Sequence, residues 1–405
     1  MCKKRIPINC IVPPHMLDAM VNSDDQQVRE SALRTLATSA RIRGEREIVG
    51  AIRAAMITNP IGKKFRSIHN AKNKRLSPLQ LPGQLAREEG QPATGEGSVD
   101  RAFDGLGATY DFFKDVLGRN SIDGKGSRLV ATVHFGDRFN NAFWNGKQMV
   151  FGDGDNIIFR DFTRSLDVIG HELAHGVTEF TAGLEYHNQS GALNESFSDV
   201  FGSLIKQFKL KQSANDADWL IGAEIIAPTI KPNAKALRSM KNPGSAYNEP
   251  RLGGKDPQPK HMKDFVELPD DDEGDFGGVH INSGIPNHAF FLVAKRLGGF
   301  AWQQAGLIWY QALLQLFPTA TFQNCADITA QVAGAKFGTG SKQQDAVMEA
   351  WDKVGITVSA PSEEAVESVP AHSGSNGGFN APDFKHWLET MSEEFRSAAE
   401  RISVS

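Results

Sequence analysis

Apolar residues at Val28, Ala32, Leu33, Leu36 and Ala40 recur at helical spacing, which predicts a helix within residues 1 to 70 with Ser23 as its candidate N-cap. From Lys72 to Ser98 the pattern dissolves into a polar stretch with Pro78, Pro82, Gly83, Gly90, Pro92, Gly95 and Gly97, which reads as a connecting or edge region. A helix is expected from about Ser98 to Leu117. Arg128 to Phe135 then alternates with β-branched residues, and Gln148 to Phe159 is expected to pair short strands around Gly152 and Gly154. From Thr163 onward the period is helical, over Thr163 to Phe180, Gly191 to Phe208, Pro286 to Leu297, Trp302 to Phe317 and Lys342 to Val354. A mostly β half followed by a mostly α half gives the fold class as α+β.

Between these helices lies a loop-rich stretch, Lys241 to Gly278, with the acidic run Asp270 to Glu273. That run reads first as a solvated surface loop and second as a calcium site. After Val358 a Ser/Gly-rich linker (Ser373 to Gly378) leads to an amphipathic helix with Phe384, Trp387, Leu388, Met391, Phe395 and Ile402 on one face, able to dock in cis or to bind a partner. The divisions expected are therefore 1–70, 71–180, 181–357 and 358–405.

Composition narrows the function. The chain has 405 residues, 44 Lys+Arg against 48 Asp+Glu, 40% hydrophobic and 23% charged residues, which is globular composition rather than a disordered or fibrous one. Near-neutral charge without a basic face argues against nucleic-acid binding. No apolar run approaches the eighteen or so residues of a membrane helix. Lys3, Lys4 and Arg5 make a basic start, but Pro7, Asn9, Pro13, Pro14 and His15 interrupt any apolar core of a signal peptide. Cys2, Cys10 and Cys325 are too few for a disulfide framework.

The strongest chemical signal is His171-Glu172-Leu173-Ala174-His175. Histidines four apart on a helix project from one face and can grip one zinc ion. A catalytic zinc takes a third protein ligand and leaves a position open. Glu195, on the next expected helix, fits that role. Nineteen residues separate it from His175; one fewer would put Asn194 there, turned by about 100° on the helix. That spacing argues against the zinc aminopeptidases, and Thr178 and Thr181 stand where the metzincin pattern has Gly and a third His. Asp199, one turn beyond Glu195, can fix the tautomer of His171.

HELAH, GLEYHNQSGALNESFSDVFG (Gly183 to Gly202), NNAFWNGKQMVFGDGD (Asn140 to Asp155) and GGVHINSGIPN (Gly277 to Asn287) together resemble the thermolysin family of zinc endopeptidases, over about Ser98 to Gly355. Val12-Pro13-Pro14-His15-Met16-Leu17 further resembles the protealysin-like branch, whose precursors carry a short propeptide. The resemblance implies a two-lobed molecule, a mostly β N-terminal lobe and a mostly α C-terminal lobe, with the His171 helix crossing between them. It implies one catalytic zinc held by His171, His175 and Glu195, with Glu172 as general base and then acid. His280 and Tyr186 match the family residues that stabilise the oxyanion, and Asp275 the carboxylate that orients His280. Asn141 and Ala142 match positions that bind the peptide backbone, and Arg238 one that grips a substrate carbonyl. Phe159, Phe162, Val168, Ile221 and Leu237 match the pocket beyond the scissile bond, which implies a bulky apolar residue on the leaving-amine side.

Departures from the family bear on calcium. Of five carboxylates in the family's double calcium site only Asp167 and Asp218 remain; Lys206, Leu220 and Ala223 replace the others, so that site is expected to be lost or weakened. Cys10 reads either as a thiolate blocking zinc in the precursor or as a thiol without function. The expected partners are protein or peptide substrates, the chain's own propeptide as an inhibitor in cis, and a proteinaceous inhibitor; a monomer is expected, with no nucleic acid and no membrane. Localisation reads as secreted without a clear signal peptide, with the cytoplasm as the alternative. A different class, a peptide-binding scaffold held permanently inactive, is disfavoured because Glu172 is retained.

Overall fold

The computed structural model describes residues 9–49, 63–77 and 80–359. Its main sheet contains β1 (Asn9–Cys10), β2 (Arg66–Asn70), β3 (Gln84–Glu88), β4 (Leu129–Val133), β5 (Ala142–Trp144) and β6 (Met149–Phe151), in the order β1-β5-β6-β4-β2-β3. β2, β4 and β6 are parallel, whereas β1, β3 and β5 run antiparallel to their neighbours. The runs Leu-Val-Ala-Thr-Val and Met-Val-Phe are buried almost throughout, as expected for strands covered on both faces. β2 therefore lies within residues 1 to 70 and yet forms part of this sheet.

The strand pairing expected around Gly152 and Gly154 does not form. β6 ends at Phe151 and pairs with β4 and β5. The glycines serve close packing instead of a turn: a Cβ on Gly152 would lie 2.1 Å from the Phe139 carbonyl oxygen. Phe159 forms an isolated bridge with Ile226.

The N-terminal segment is a strand followed by two helices, α1 (Pro14–Val21) and α2 (Gln26–Val49). A two-residue strand carries no readable periodicity, which is why β1 escapes the sequence pattern. Asp25, not Ser23, caps α2: its Oδ1 accepts from the amides of Gln27 at 2.8 Å and Val28 at 3.3 Å. Ile11, Val12, Met16, Leu17, Met20, Val28 and Ala32 join the main hydrophobic core. Buried polar contacts hold α2 as well, since Asn140 donates to Ser31 Oγ (2.9 Å) and its amide to Thr35 Oγ1 (3.0 Å).

α3 (Gly97–Asp111) and α4 (Leu166–Glu179) precede the largely helical half, α5 (Asn188–Leu210), α6 (Asp275–Asn282), α7 (Gly284–Leu297), α8 (Ala305–Leu313), α9 (Phe322–Phe337) and α10 (Lys342–Lys353). α1, α6 and α9 are not among the elements expected from the pattern; the buried stripe of α9, Phe322, Cys325, Ala326, Thr329, Ala330 and Ala333, is made mostly of small residues that mark an apolar face weakly, and a reciprocal Thr321/Asn324 capping box starts the helix. The segment expected from Trp302 to Phe317 is a turn at Ala301–Gln303 followed by α8. The amphipathic helix expected around Phe384 to Ile402 lies outside the described residues.

α4 packs on α3 and β5 on one side and on α5 on the other. The approach to α5 requires small residues at the crossing: a Cβ on Gly202 would meet the Asp167 carbonyl oxygen at 2.4 Å, and one on Gly170 the Ile205 side chain at 2.8 Å. Beyond α5, β7 (Leu220–Ile221) and β8 (Arg238–Ser239) set Ile221 opposite Arg238, and β9 (Asn248–Glu249) pairs with β10 (Gly254–Lys255). Among the described residues no helix is long and apolar enough to cross a membrane.

Candidate active site

α4 carries His171, Glu172 and His175 in full burial, and the four-residue spacing sets the two imidazole rings 4.6 Å apart. α5 brings Glu195 to them. Its Oε2 lies 3.5 Å from His171 Nε2 and its Oε1 3.4 Å from His175 Nε2, while the two Nε2 atoms are 3.0 Å apart. A tetrahedral zinc with bonds of about 2.0–2.1 Å holds its donors roughly 3.3 Å from one another, so these three residues fit one ion. Glu195 Oε2 is buried without a hydrogen-bond partner among the described residues, as a carboxylate meant for a metal would be. The donor set is two imidazoles and one carboxylate, and among the described residues no other cluster of this kind is present.

The outer face of each ring is engaged. His171 Nδ1 contacts Asp199 Oδ1 at 2.8 Å, and His175 Nδ1 contacts Asn194 Oδ1 at 2.8 Å and Ser198 Oγ at 3.0 Å. Donation from each Nδ1 leaves the Nε2 lone pair facing inward. Burial holds His175 neutral by lowering its pKa to about 3, against the opposing pull of Glu195.

Glu172 sits beside this group, and neither of its oxygens has a hydrogen-bond partner of normal geometry among the described residues. Burial, reinforced by the Glu195 charge, raises its pKa well above the ordinary carboxylate range; the amides of Trp144 and Ile11 and the Arg238 charge offset this only in part.

Across the cleft, the Tyr186 hydroxyl contacts Glu195 Oε1 and lies 3.2 Å from His280 Nε2. Four successive left-handed residues, Asp275 to Gly278, fold the start of α6 back so that Asp275 accepts from the His280 amide (2.9 Å) and meets its Nδ1 (2.6 Å). Gly277 and Gly278 adopt that conformation freely, whereas Asp275 and Phe276 carry its cost. Burial alone would lower the His280 pKa, but Asp275 and Glu195 lift it to about 9, so Nε2 is a donor at neutral pH.

Arg238 grips Asp199 with a fork, Nε to Oδ2 and Nη2 to Oδ1, both at 2.8 Å, and its Nη1 donates to the Ile11 carbonyl at 3.0 Å. β1 lies antiparallel on the β5 edge, with Cys10 opposite Phe143. The Ile11 amide donates to the Ala142 carbonyl (3.2 Å), and the Val12 amide to Asn141 Oδ1 (3.0 Å). His280 Nε2 donates to the Cys10 carbonyl at 2.7 Å. Cys10 thus brings its carbonyl to the site, and the closely spaced metal-type donors remain His171, His175 and Glu195. Phe159, Phe162, Val168, Ile221 and Leu237 are buried in the same apolar cluster as Ile11.

At the remnant of the calcium pattern, Lys206 Nζ binds Asp167 Oδ2 at 3.0 Å and Asp218 Oδ2 at 2.9 Å. The run Asp270 to Glu273 is exposed, and the Asp271 carboxylate caps the Gly274 amide.

Of the expected site residues, His171, Glu172, His175, Tyr186, Glu195, Asp199, Arg238, Asp275, His280, Asn141 and Ala142 lie in one connected set of contacts, whereas Phe159, Phe162, Val168, Ile221 and Leu237 are buried in the core. Those the sequence pattern did not offer are Asn194, Ser198, Asn287 and His15. Asn194 and Ser198 lie one helical turn apart on α5, a spacing that points both at the same neighbour. Asn287 donates to Asp199 Oδ2 at 2.8 Å from the start of α7. His15 has no such signal, because its partner Tyr247 (Nε2 to hydroxyl, 2.9 Å) is distant in sequence.

A buried His-His-Glu group with an adjacent buried carboxylate, between a sheet and a helical lobe, defines a zinc metallopeptidase. Residues 63–179 match the thermolysin metallopeptidase catalytic domain, and residues 182–356 its alpha-helical domain. The chain belongs to the thermolysin family. It is 45% identical over 367 residues to an extracellular metalloprotease of Pectobacterium carotovorum subsp. carotovorum, covering 88% of this chain and 98% of that one. It is also 45% identical to the protease PrtS of Photorhabdus sp. (strain Az29), covering 86% and 92%. Among solved structures it resembles the precursor of protealysin, a metalloproteinase from Serratia proteamaculans, with a TM-score of 0.77, 47% identity, and coverage of 86% of this chain and 100% of that one.

This geometry can be checked at two residues. Asn194→Ala should weaken zinc binding about tenfold, since outer partners of metal-bound histidines contribute at that scale; competition against a chelating dye reads this, and unchanged affinity would show that Asn194 has no orienting role. His15 gives a pH dependence. It faces Tyr247, Asp275, His280 and Arg238, its Nδ1 has no partner among the described residues, and burial lowers its pKa from 6.5 to about 4. The docked state disfavours the charged ring, so its stability is full above pH 6.5 and falls as pH drops toward 4, by up to about 1.4 kcal/mol per unit. Thermal unfolding at pH 7 and pH 4.5 should show a larger loss in the wild-type chain than in His15→Gln; equal losses would remove His15 as the cause.

Proposed function

We propose that the chain is the zymogen of an endopeptidase that cleaves before bulky apolar residues, with Glu172 as its general base. The observation carrying this reading is Glu172 itself, fully buried beside the His171, His175 and Glu195 group, without a hydrogen-bond partner of normal geometry among the described residues, and with the Trp144 and Ile11 amides near it. Zinc supplies Lewis-acid polarisation of the carbonyl and activation of water when bound. Glu172 takes a proton from the attacking water and passes it to the departing amine nitrogen; its raised pKa matches a group that must hold that proton between the two steps. His280 and Tyr186 donate to the oxygen where negative charge develops, and Asp275 keeps His280 charged and oriented.

Asn141, Ala142 and Arg238 fix the substrate backbone. Phe159, Phe162, Val168, Ile221 and Leu237 form an apolar pocket for the residue on the leaving-amine side, where burial of a large aliphatic side chain contributes about 1.5–3 kcal/mol. The N-terminal segment, ending before the sheet strand at Arg66, inhibits in cis by filling the same cleft. Lys206 takes the place of a cation between Asp167 and Asp218, so this part of the fold needs no calcium. Export is the favoured localisation, because the Pectobacterium relative is named as extracellular.

Glu172→Gln should reduce hydrolysis of an unfolded protein substrate at least about 10²-fold while zinc content is retained. Cleavage that persists at wild-type rate would remove Glu172 as base. A calcium-selective chelator should leave the thermal midpoint of the zinc-loaded chain unchanged; a fall of several degrees would point to a calcium site elsewhere.

A further inference from the structure

The N-terminal strand does more than cover the cleft. His280, Ala142, Arg238 and Asn141, each given a substrate role above, all contact the backbone around one peptide bond, that between Cys10 and Ile11. The Cys10 carbonyl accepts from His280 at 2.7 Å, where the developing oxyanion would lie. The Ile11 amide donates to Ala142 and stands near Glu172, which is where a leaving nitrogen must be to receive the proton. Arg238 holds the next carbonyl, and Asn141 holds Val12 from both sides, accepting from its amide at 3.0 Å and donating to its carbonyl at 3.4 Å. Ile11 is wholly buried in the apolar cluster that contains Phe162, Val168, Ile221 and Leu237. Ile11 therefore stands at the leaving-amine position, and its bulk and full burial match the apolar preference proposed there.

Resting on the endopeptidase reading, we infer that Cys10–Ile11 is itself a scissile bond: the segment is held as a substrate, and the zinc-loaded chain cleaves it. Water adds to the Cys10 carbonyl carbon, the C–N bond breaks, and Glu172 transfers the water's proton to the Ile11 nitrogen. The products are a Cys10 carboxylate and an Ile11 ammonium, the new acid's proton passing to the amine. Cleavage does not release the inhibitor, because among the described residues its anchoring lies mainly on the leaving-amine side: buried Met16, Leu17 and Met20 on α1, His15 on Tyr247, and Ser31 and Thr35 on Asn140. The nicked chain remains blocked, and full activation needs a later cut that detaches α1 and α2.

The test uses the full chain, purified metal-free and then loaded with zinc, followed by intact mass and N-terminal sequencing over time beside hydrolysis of an unfolded protein. The expected result is a species beginning at Ile11 that forms before external hydrolysis rises. It should be absent from Glu172→Gln, lost in Ile11→Asp, and retained in Ile11→Leu. A readout independent of turnover is hydrogen exchange in the metal-free chain: the Ile11 and Val12 amides should exchange at least about tenfold more slowly than in Asn141→Ala. An intact Cys10–Ile11 bond in a chain that cuts itself elsewhere and hydrolyses external protein would overturn the inference and leave the peptidase reading standing, as would fast exchange at both amides. A zinc-loaded chain that cuts nothing, even after another protease removes its N-terminal segment, would overturn both.

Discussion

Asp199 ties together the parts of the site that the rest of the structure must serve. Fully buried on α5, it accepts from His171 on α4, receives both arms of Arg238 from β8, and accepts from Asn287 on α7. Those bonds and the Arg238 charge pull its pKa well below the ordinary carboxylate value against the penalty of burial. Removing one partner of such a buried pair leaves an uncompensated charge, costing about 3–5 kcal/mol. The same carboxylate therefore sets the tautomer of His171 and holds the arginine that donates to the Ile11 carbonyl. This geometry depends above all on Gly202, because a Cβ there would collide with the Asp167 backbone carbonyl and push α4 and α5 apart.

The N-terminal segment exploits an open strand edge. β5 exposes backbone groups on the side away from β6, and the first described residues, Asn9 and Cys10, pair with them. An edge of this kind is a template for any extended peptide. In the proposed function, substrate and inhibitor use one set of backbone contacts, so the difference between them lies in the chain beyond the strand. Here α1 begins immediately at Pro14, with α2 after it, and both bury apolar residues in the main core. Latency then reflects slow departure of a large docked element rather than an unfavourable geometry at one bond.

The Lys206 site shows a different economy. A divalent ion between Asp167 and Asp218 would bind by mass action and leave when its concentration fell. An ammonium tethered to α5 cannot leave, and its contacts at 3.0 and 2.9 Å satisfy the same two carboxylates. Asp167 also accepts from Ser165 and from the Gly222 amide, so its neutralised carboxylate connects the start of α4 to the β7 turn beside the proposed pocket.

Much of this was legible in the chain itself. The spacing of His171, His175 and Glu195 and the position of Asp199 are local helical arithmetic, which survives folding because α-helix geometry is nearly invariant. The order of β then α halves was readable for the same reason. Features that depend on partners far apart along the chain were not disclosed by the sequence. β1 is two residues long, the left-handed turn at Asp275 to Gly278 reverses a segment that reads as loop, and His15 finds Tyr247 only across the cleft. Gly152 and Gly154 read as a turn between strands and proved to be points of close backbone approach, because a glycine signals missing bulk without saying which neighbour needs the room. By itself the sequence determined the chemical groups and their spacing on each helix; tertiary structure alone decided that Cys10 and Ile11 lie across them, since strand pairing obeys a free edge in space rather than any period in the chain.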